Sequence, residues 1–174
     1  SHAGNIGSVA RAMKTMGFTN LYLVNPKNFP NKQAQALACG AEDILQKATL
    51  VNSIEAALKN VHHVVGFTTR KRELTQPHKN VRELSKQLFN EAKNNKIAVI
   101  FGNETNGLSN LELQHCKTLG FIDANSKYSS LNLAQAVQIV CHEIRMMSEF
   151  PDNNKILKTT NKKYVSYDLQ NGFY

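Results

Sequence analysis

Three short segments hold polar side chains and glycines at spacings that could do chemistry. The first is Gly4-Asn5-Ile6-Gly7-Ser8-Val9-Ala10-Arg11-Ala12. Two glycines at a helix start can form an anion cradle, because backbone N–H groups there lack partners and the helix dipole favours negative charge. The spacing is not G-x-G-x-x-G, and no acidic residue stands about twenty positions on at a strand end, so the dinucleotide fingerprint is weak. Arg11 lies two residues from both Val9 and Met13 and points away from their apolar stripe; a solvated arginine is the ordinary outcome at such a position. The second segment is Ile100-Phe101-Gly102-Asn103-Glu104-Thr105-Asn106-Gly107-Leu108. Here an apolar run ends at a glycine and opens into a polar loop. In α/β sheets, ligands bind beyond the carboxyl ends of strands, and Gly102 permits close backbone approach. The plain alternative is an ordinary strand–helix connection with Glu104 solvated. The third segment is Tyr128-Ser129-Ser130-Leu131-Asn132-Leu133-Ala134-Gln135-Ala136. Ser129, Ser130 or Asn132 could simply cap the helix that follows, although three polar residues stand where one cap would do.

Elements that could position these segments follow from periodicity. Ile6, Val9, Ala10, Met13 and Met16 make an apolar stripe that predicts a helix over 5–16, stopped by Gly17. Short strands are expected at 21–24 and 48–51, helices at 31–39 and from Ser53 to about Asn60, and a turn at 41–46. VHHVVGFTT (61–69) reads as a buried strand followed by a basic loop, and KIAVIFG (96–102) as the clearest buried strand of all. Helices are expected over 80–95 and 131–149, and Ser109-Asn110-Leu111-Glu112 fits a capping box opening a short helix. TLGFID (118–123) is the last expected strand. Strands alternating with helices imply an α/β fold, a mostly parallel sheet with helices on both faces. Such a domain should begin with a buried strand, whereas this sequence opens on a loop and helix, so an earlier strand is expected. Residues 1–150 read as one domain and 151–174 as a polar tail.

Charge and cysteine content narrow the function classes. The net charge is +8, of which residues 70–96, with eight Lys/Arg and three Glu, carry +5. A basic surface suits a polyanion such as nucleic acid, although a solvated basic helix face gives the same count. The three cysteines are odd in number and widely spaced, which argues for a reducing, cytoplasmic setting rather than a disulfide framework. No Cys or His spacing suits a zinc site, so no metal is expected. No run has the apolar length that crosses a bilayer, so no membrane partner is expected.

Taken together and in order, the three segments resemble the motifs of the SpoU/TrmH branch of the SPOUT RNA 2′-O-methyltransferases. The first matches as N-x-x-x-x-x-R, the second as G-N-E-x-x-G-L-S and the third as S-S-L-N-L-x-x-A. The likeness covers about residues 1–150. GSVARAMKTMG followed by LYLVNP, and YSSLNLAQAVQI, are similar to the members that modify cytidine or uridine in tRNA. Asn103 departs from the arginine common in that group and matches the wider family.

The resemblance implies an α/β fold whose C-terminal segment forms a trefoil knot, and a homodimer built through the first and last helices. It implies S-adenosyl-L-methionine as cofactor, held mainly by backbone groups around Phe67, Thr68 and Thr69, Gly102, Asn103 and Glu104, Ile122, and Ser129, Ser130 and Leu131. It assigns Arg11, Asn5 and Ser130 to catalysis and Asn132 to structural support. The implied reaction is 2′-O-methylation of tRNA at position 32 of the anticodon loop, with Arg70, Lys71 and Arg72 contacting RNA. Arg82, Lys86 and Lys93 on the 80–95 helix would extend that positive field. Family schemes treat the arginine as a base; guanidinium is not deprotonated in proteins, so electrostatic stabilisation and positioning fit Arg11 better. Other RNA sites, including rRNA, an inactive RNA-binding module of the same fold, and a nucleotide-dependent α/β enzyme using Gly4–Gly7 remain alternatives.

Overall fold

The computed structural model describes residues 3–69 and 76–149. Helix α1 (Ala3–Thr15) buries Ile6, Val9, Ala10 and Met13, the stripe expected from spacing. It closes on Gly17 (φ 81°), with the N–H of Phe18 donating to Met13 O; a left-handed glycine satisfies the last carbonyls of a helix in this way. Strand β1 (Tyr22–Val24) follows, then α2 (Lys32–Ala38), capped by the Asn31 side chain. Residues 42–46 form helix α3 (Glu42–Gln46) rather than the expected turn, because Ile44 and Leu45 bury into the cluster made by α1 and α2. Lys14 pins this corner by donating to Gly40 O at 2.8 Å and pairing with Asp43 at 2.7 Å.

Strand β2 (Thr49–Val51) pairs parallel with β1, and Ser53 caps the short α4 (Ile54–Ala57). Strand β3 (His63–Phe67) is buried along its whole length. Next come β4 (His78–Asn80), α5 (Val81–Glu91), β5 (Ile97–Phe101), α6 (Asn110–Gln114), β6 (Thr118–Phe121) and α7 (Leu133–Glu149). The capping box at Ser109 and Glu112 is present in both directions. Strand β4 was not anticipated: its three residues, His-Lys-Asn, carry no apolar alternation, and it forms only by pairing with the edge of β6. Helix α5 ends earlier than the expected residue 95.

The described strands pair in parallel, in keeping with the mostly parallel sheet expected, but they fall into two groups, β1-β2 and β4-β6-β3-β5, where one sheet was expected. The larger sheet is covered on both faces. Val65 and Phe67 pack with Leu84, Leu88 and Val140 of α5 and α7. On the opposite face, Val64 and Leu119 pack with Leu108, Leu113 and Cys116 around α6. The alternation of Val64 and Val65 across the pleat gives each face its own core.

Candidate active site

The parallel register brings three strand ends together. Phe67 stands opposite Phe101 on one side and Gly120 on the other, so β3, β5 and β6 finish at one edge of the sheet. The segments beginning Phe67-Thr68-Thr69, Gly102-Asn103-Glu104 and Ile122 therefore leave the sheet side by side, as the sequence suggested. The rings of Phe67 and Phe101 stack at 5.4 Å between centroids, and Ile122 packs into the same cluster. These side chains belong to the core cluster beneath the strand ends, so what the three loops have in common there is backbone.

The loop after β5 is built by its own hydrogen bonds. Asn103 Oδ1 accepts from the N–H of Thr105 (3.1 Å) and of Asn106 (2.7 Å), while Asn103 O accepts from Gly107 N–H at 2.9 Å. Gly107 has φ 66°, which an L side chain rarely adopts. The loop folds back so tightly that a Cβ on Gly102 would sit 1.9 Å from the Gly107 carbonyl carbon. The need for glycine at 102 is thus already set by the loop itself, before any ligand approaches.

Side chains from all three sequence segments meet. Asn5 Nδ2 donates to Glu104 Oε1 at 2.5 Å, and Asn132 Nδ2 donates to Asn5 Oδ1 at 3.1 Å. Asn132 Oδ1 accepts from Ala134 N–H at 2.9 Å, so among the three candidate caps it is Asn132 that caps the start of α7. The start of α1, the loop after β5 and the entry to α7 are one hydrogen-bonded unit. Periodicity could not reveal this contact, since the partners lie 99 and 127 residues apart.

Arg11 is exposed, as its spacing predicted. It lines a shallow, mostly apolar depression of about 510 Å³ between α1 and α7 with Ser8, Thr15, Leu131 and Gln138. Ser129 and Leu131 are half-buried and Ser130 is exposed. Arg70, Lys71 and Arg72 lie outside the described residues. On α5, the charge of Arg82 is already matched by Glu143 at 3.3 Å; just beyond the helix, the Lys93 ammonium lies 5.3 Å from the Phe89 ring centroid. Lys86 is exposed. The basic helix is therefore partly neutralised, a weaker field than the residue count implied.

The cysteines are free thiols. Burial pushes those of Cys116 and Cys141 up to about 11, so both stay protonated near neutral pH and are poor nucleophiles. Among the described residues, no group of three His, Cys, Asp or Glu side chains is placed to hold a metal, and no helix is long and apolar enough to cross a membrane.

Residues 1–142 match the model of the SpoU rRNA Methylase family. The chain belongs to this family. It is 51% identical over 146 residues to the tRNA (cytidine/uridine-2′-O-)-methyltransferase TrmJ of Pectobacterium atrosepticum, a match covering 84% of this chain and 61% of that protein. The chain thus spans about three fifths of the length of the curated relatives it matches. The structure of a probable methylase family protein from Haemophilus influenzae superposes with a TM-score of 0.80 at 46% identity, covering 86% of this chain and 61% of that one. The SpoU methyltransferase AviRb of Streptomyces viridochromogenes, described in complex with the cofactor AdoMet, shares the fold at a TM-score of 0.69 and 20% identity, over 86% of this chain and 57% of that one. The three polar segments singled out in the sequence lie on α1, after β5 and before α7.

Proposed function

We propose that this chain is the methyl-transfer domain of a tRNA 2′-O-methyltransferase that uses S-adenosyl-L-methionine and modifies cytidine or uridine at position 32 of the anticodon loop, in the cytoplasm. The observation that carries the reading is the Glu104–Asn5–Asn132 chain of hydrogen bonds, which joins the three family motifs into one unit beside the aligned strand ends. The likeness to TrmJ over most of the chain supports the substrate class. Residues 1–150 form the domain and 151–174 a polar tail outside the described residues.

The strand ends suit such a cofactor. A base and a ribose need backbone donors and acceptors along their edges, and the loops that leave β3, β5 and β6 together at one end of the sheet would supply them. Phe67–Thr69, Gly102–Glu104, Ile122 and Ser129–Leu131 would hold it. When bound, the cofactor supplies a methyl group on a sulfonium, an activated leaving group that needs no metal. Transfer to the 2′-oxygen would break the methyl–sulfur bond, leave a neutral thioether and release the hydroxyl proton to water. Negative charge develops on that oxygen, and a guanidinium beside it stabilises the transition state. Arg11 takes this role, while Ser130 orients the reacting groups. Asn5 holds the entry of α1 against Glu104.

Arg11 faces away from the core of its own chain, on the α1/α7 surface, so a second copy packed on that surface gives it a site at which to act. The functional unit is accordingly a homodimer, with the C-terminal segment threaded as a trefoil knot. Arg70, Lys71 and Arg72 follow the end of β3 and would contact RNA phosphates, which position a nucleic acid without reading its sequence. The test is methyl transfer from labelled S-adenosyl-L-methionine to bulk tRNA by the complete protein, followed by nuclease mapping. Label at nucleotide 32 is expected; label at another nucleotide only, or none, would overturn the reading.

A further inference from the structure

Three adjacent strands begin behind a basic residue. His62 precedes β3, Lys96 precedes β5 and Lys117 precedes β6. The order β6-β3-β5 and the parallel register put all three at the sheet edge opposite the candidate active site. Two turns bring more charge to the same edge: Lys59 between α4 and β3, and Lys93 between α5 and β5. All five side chains are exposed. The way these cations are held sets them apart. Lys14 pairs with Asp43 and Arg82 with Glu143, so their charges are matched within the fold. At this edge the partners are neutral. Lys117 Nζ donates to His62 O at 2.6 Å, and Lys93 Nζ donates to Asn90 Oδ1 at 3.1 Å while lying over the Phe89 ring. His62 Nδ1 accepts from Lys96 N–H at 3.1 Å, so the neutral ring carries its proton on Nε2 and can donate from there. Among the described residues, none of the four lysines pairs with a carboxylate. The flanking carboxylates face other partners, Glu91 meeting His63 and Gln87, and Glu55 meeting His115.

We propose that this edge is a second RNA-binding surface, which takes phosphates of the RNA body while the target nucleotide lies at the opposite edge. Cations that are positioned but not matched by acids suit a polyanion. The choice of RNA rests on the methyl-transfer function proposed above and on membership of the SpoU rRNA Methylase family. Exposed Asn60, Asn94 and Asn95 stand among the lysines, and amide side chains hydrogen-bond phosphate and sugar oxygens. A lipid surface would call for apolar side chains to insert, and none of the large exposed apolar residues lies in these segments. Neighbouring strands are roughly 5 Å apart, so Lys117, His62 and Lys96 form a row roughly 10 Å wide. Such a row is long enough to meet two or three successive phosphates of one strand, at about 3.4 Å of rise each. The five residues of β3 separate the two edges by at least about 17 Å. A stem-loop carrying only the target nucleotide has few phosphates to offer at that distance, whereas a complete tRNA has many.

Filter binding over a range of salt tests this with the complete protein and two ligands, whole tRNA and its isolated anticodon stem-loop. Lys59→Gln combined with Lys96→Gln removes two charges from the edge. Lys27→Gln combined with Lys47→Gln, at exposed lysines of other segments, is the control with the same net charge. The first pair should weaken tRNA binding about tenfold or more near about 0.1 M salt, and lower the salt slope by roughly 1.4–1.8 log units per tenfold salt, at roughly 0.7–0.9 for each lost phosphate contact. Stem-loop affinity should stay within about twofold, and the control pair should leave the tRNA slope in place. Equal losses from the two pairs, a stem-loop loss as large as that for tRNA, or an unchanged slope would overturn the proposal. So would binding to phosphatidylserine vesicles that the first pair abolishes while tRNA binding persists. Melting temperatures within about a degree of the unsubstituted protein establish that the pairs fold; the single variants, each expected to give half the slope change, decide the matter if the first pair does not. Because binding is the readout, tRNA held through this edge without methyl transfer would refute the proposed reaction and leave this surface standing. Transfer to tRNA that is indifferent to the edge would do the reverse.

Discussion

Substituting Asn5 by alanine should separate the three motifs without touching the reacting groups. The side chain makes two hydrogen bonds, one to the Glu104 carboxylate at 2.5 Å and one from Asn132 at 3.1 Å. A hydrogen bond to a charged group contributes roughly 1.5–3 kcal/mol and a neutral one about 0.5–1.5 kcal/mol. Glu104 is half-buried and Asn132 exposed, so water replaces part of the stabilisation that the substitution removes. The lower end of each range applies, and Asn5→Ala should cost about 2 kcal/mol. Urea unfolding of Asn5→Ala, Glu104→Ala and the double variant isolates the pair, because effects that do not involve the contact cancel in the cycle. A coupling energy of about 1 kcal/mol or more is expected, with unchanged denaturant slope. Cofactor affinity should fall in both single variants, since each releases the loop that carries Gly102–Glu104. Effects that add within about 0.5 kcal/mol would refute the coupling and, with it, the view that these side chains hold the motifs together.

Arg11→Ala should lower methyl transfer by orders of magnitude with little change in cofactor affinity, because the interaction is made mainly in the transition state; near-normal turnover in a single-turnover assay would exclude the role. Gly7→Ala places a Cβ 2.0 Å from Ala34 O, a backbone atom, so α1 and α2 must separate; overpacking of this kind costs about 1–3 kcal/mol, and a melting temperature unchanged within about a degree would contradict it. The hydrogen bond from His63, and then that from Gln87, holds the Glu91 carboxyl below its ordinary 4.5. That contribution to stability is present above about pH 4.5 and is lost as pH falls through the lowered value, so Glu91→Gln should flatten the acid limb of the stability curve measured by denaturant titration between about pH 3 and 6. Neutralising Arg70 and Arg72 together in the complete protein should weaken tRNA binding and flatten its salt dependence, by roughly 0.7–0.9 log units per tenfold salt for each phosphate that no longer meets a cation; an unchanged slope in filter binding would remove this loop from the RNA interface.

What the sequence revealed and what it hid divide along the range of the interactions. The stripes on α1 and α7 and the apolar run of β5 come from nearest-neighbour periodicity, and they appear where spacing placed them. Strand β4 was hidden because a three-residue polar strand owes its existence to β6, and α3 because Ile44 and Leu45 are drawn down by helices distant in the chain. The motif residues were legible as a pattern, but their purpose was not. Gly102 read as a place for close ligand approach, while the fold shows its own loop occupying that space. Asn132 read as one of three possible caps, while the fold gives it a second task, gripping Asn5. The β5 run read as the clearest buried strand, whereas all five of its residues are only half-buried in the described fold. Arg11 was the hardest residue to read: exposed on α1, it looks in one sequence like any solvated side chain, and the partners proposed for it would lie outside its own chain's core.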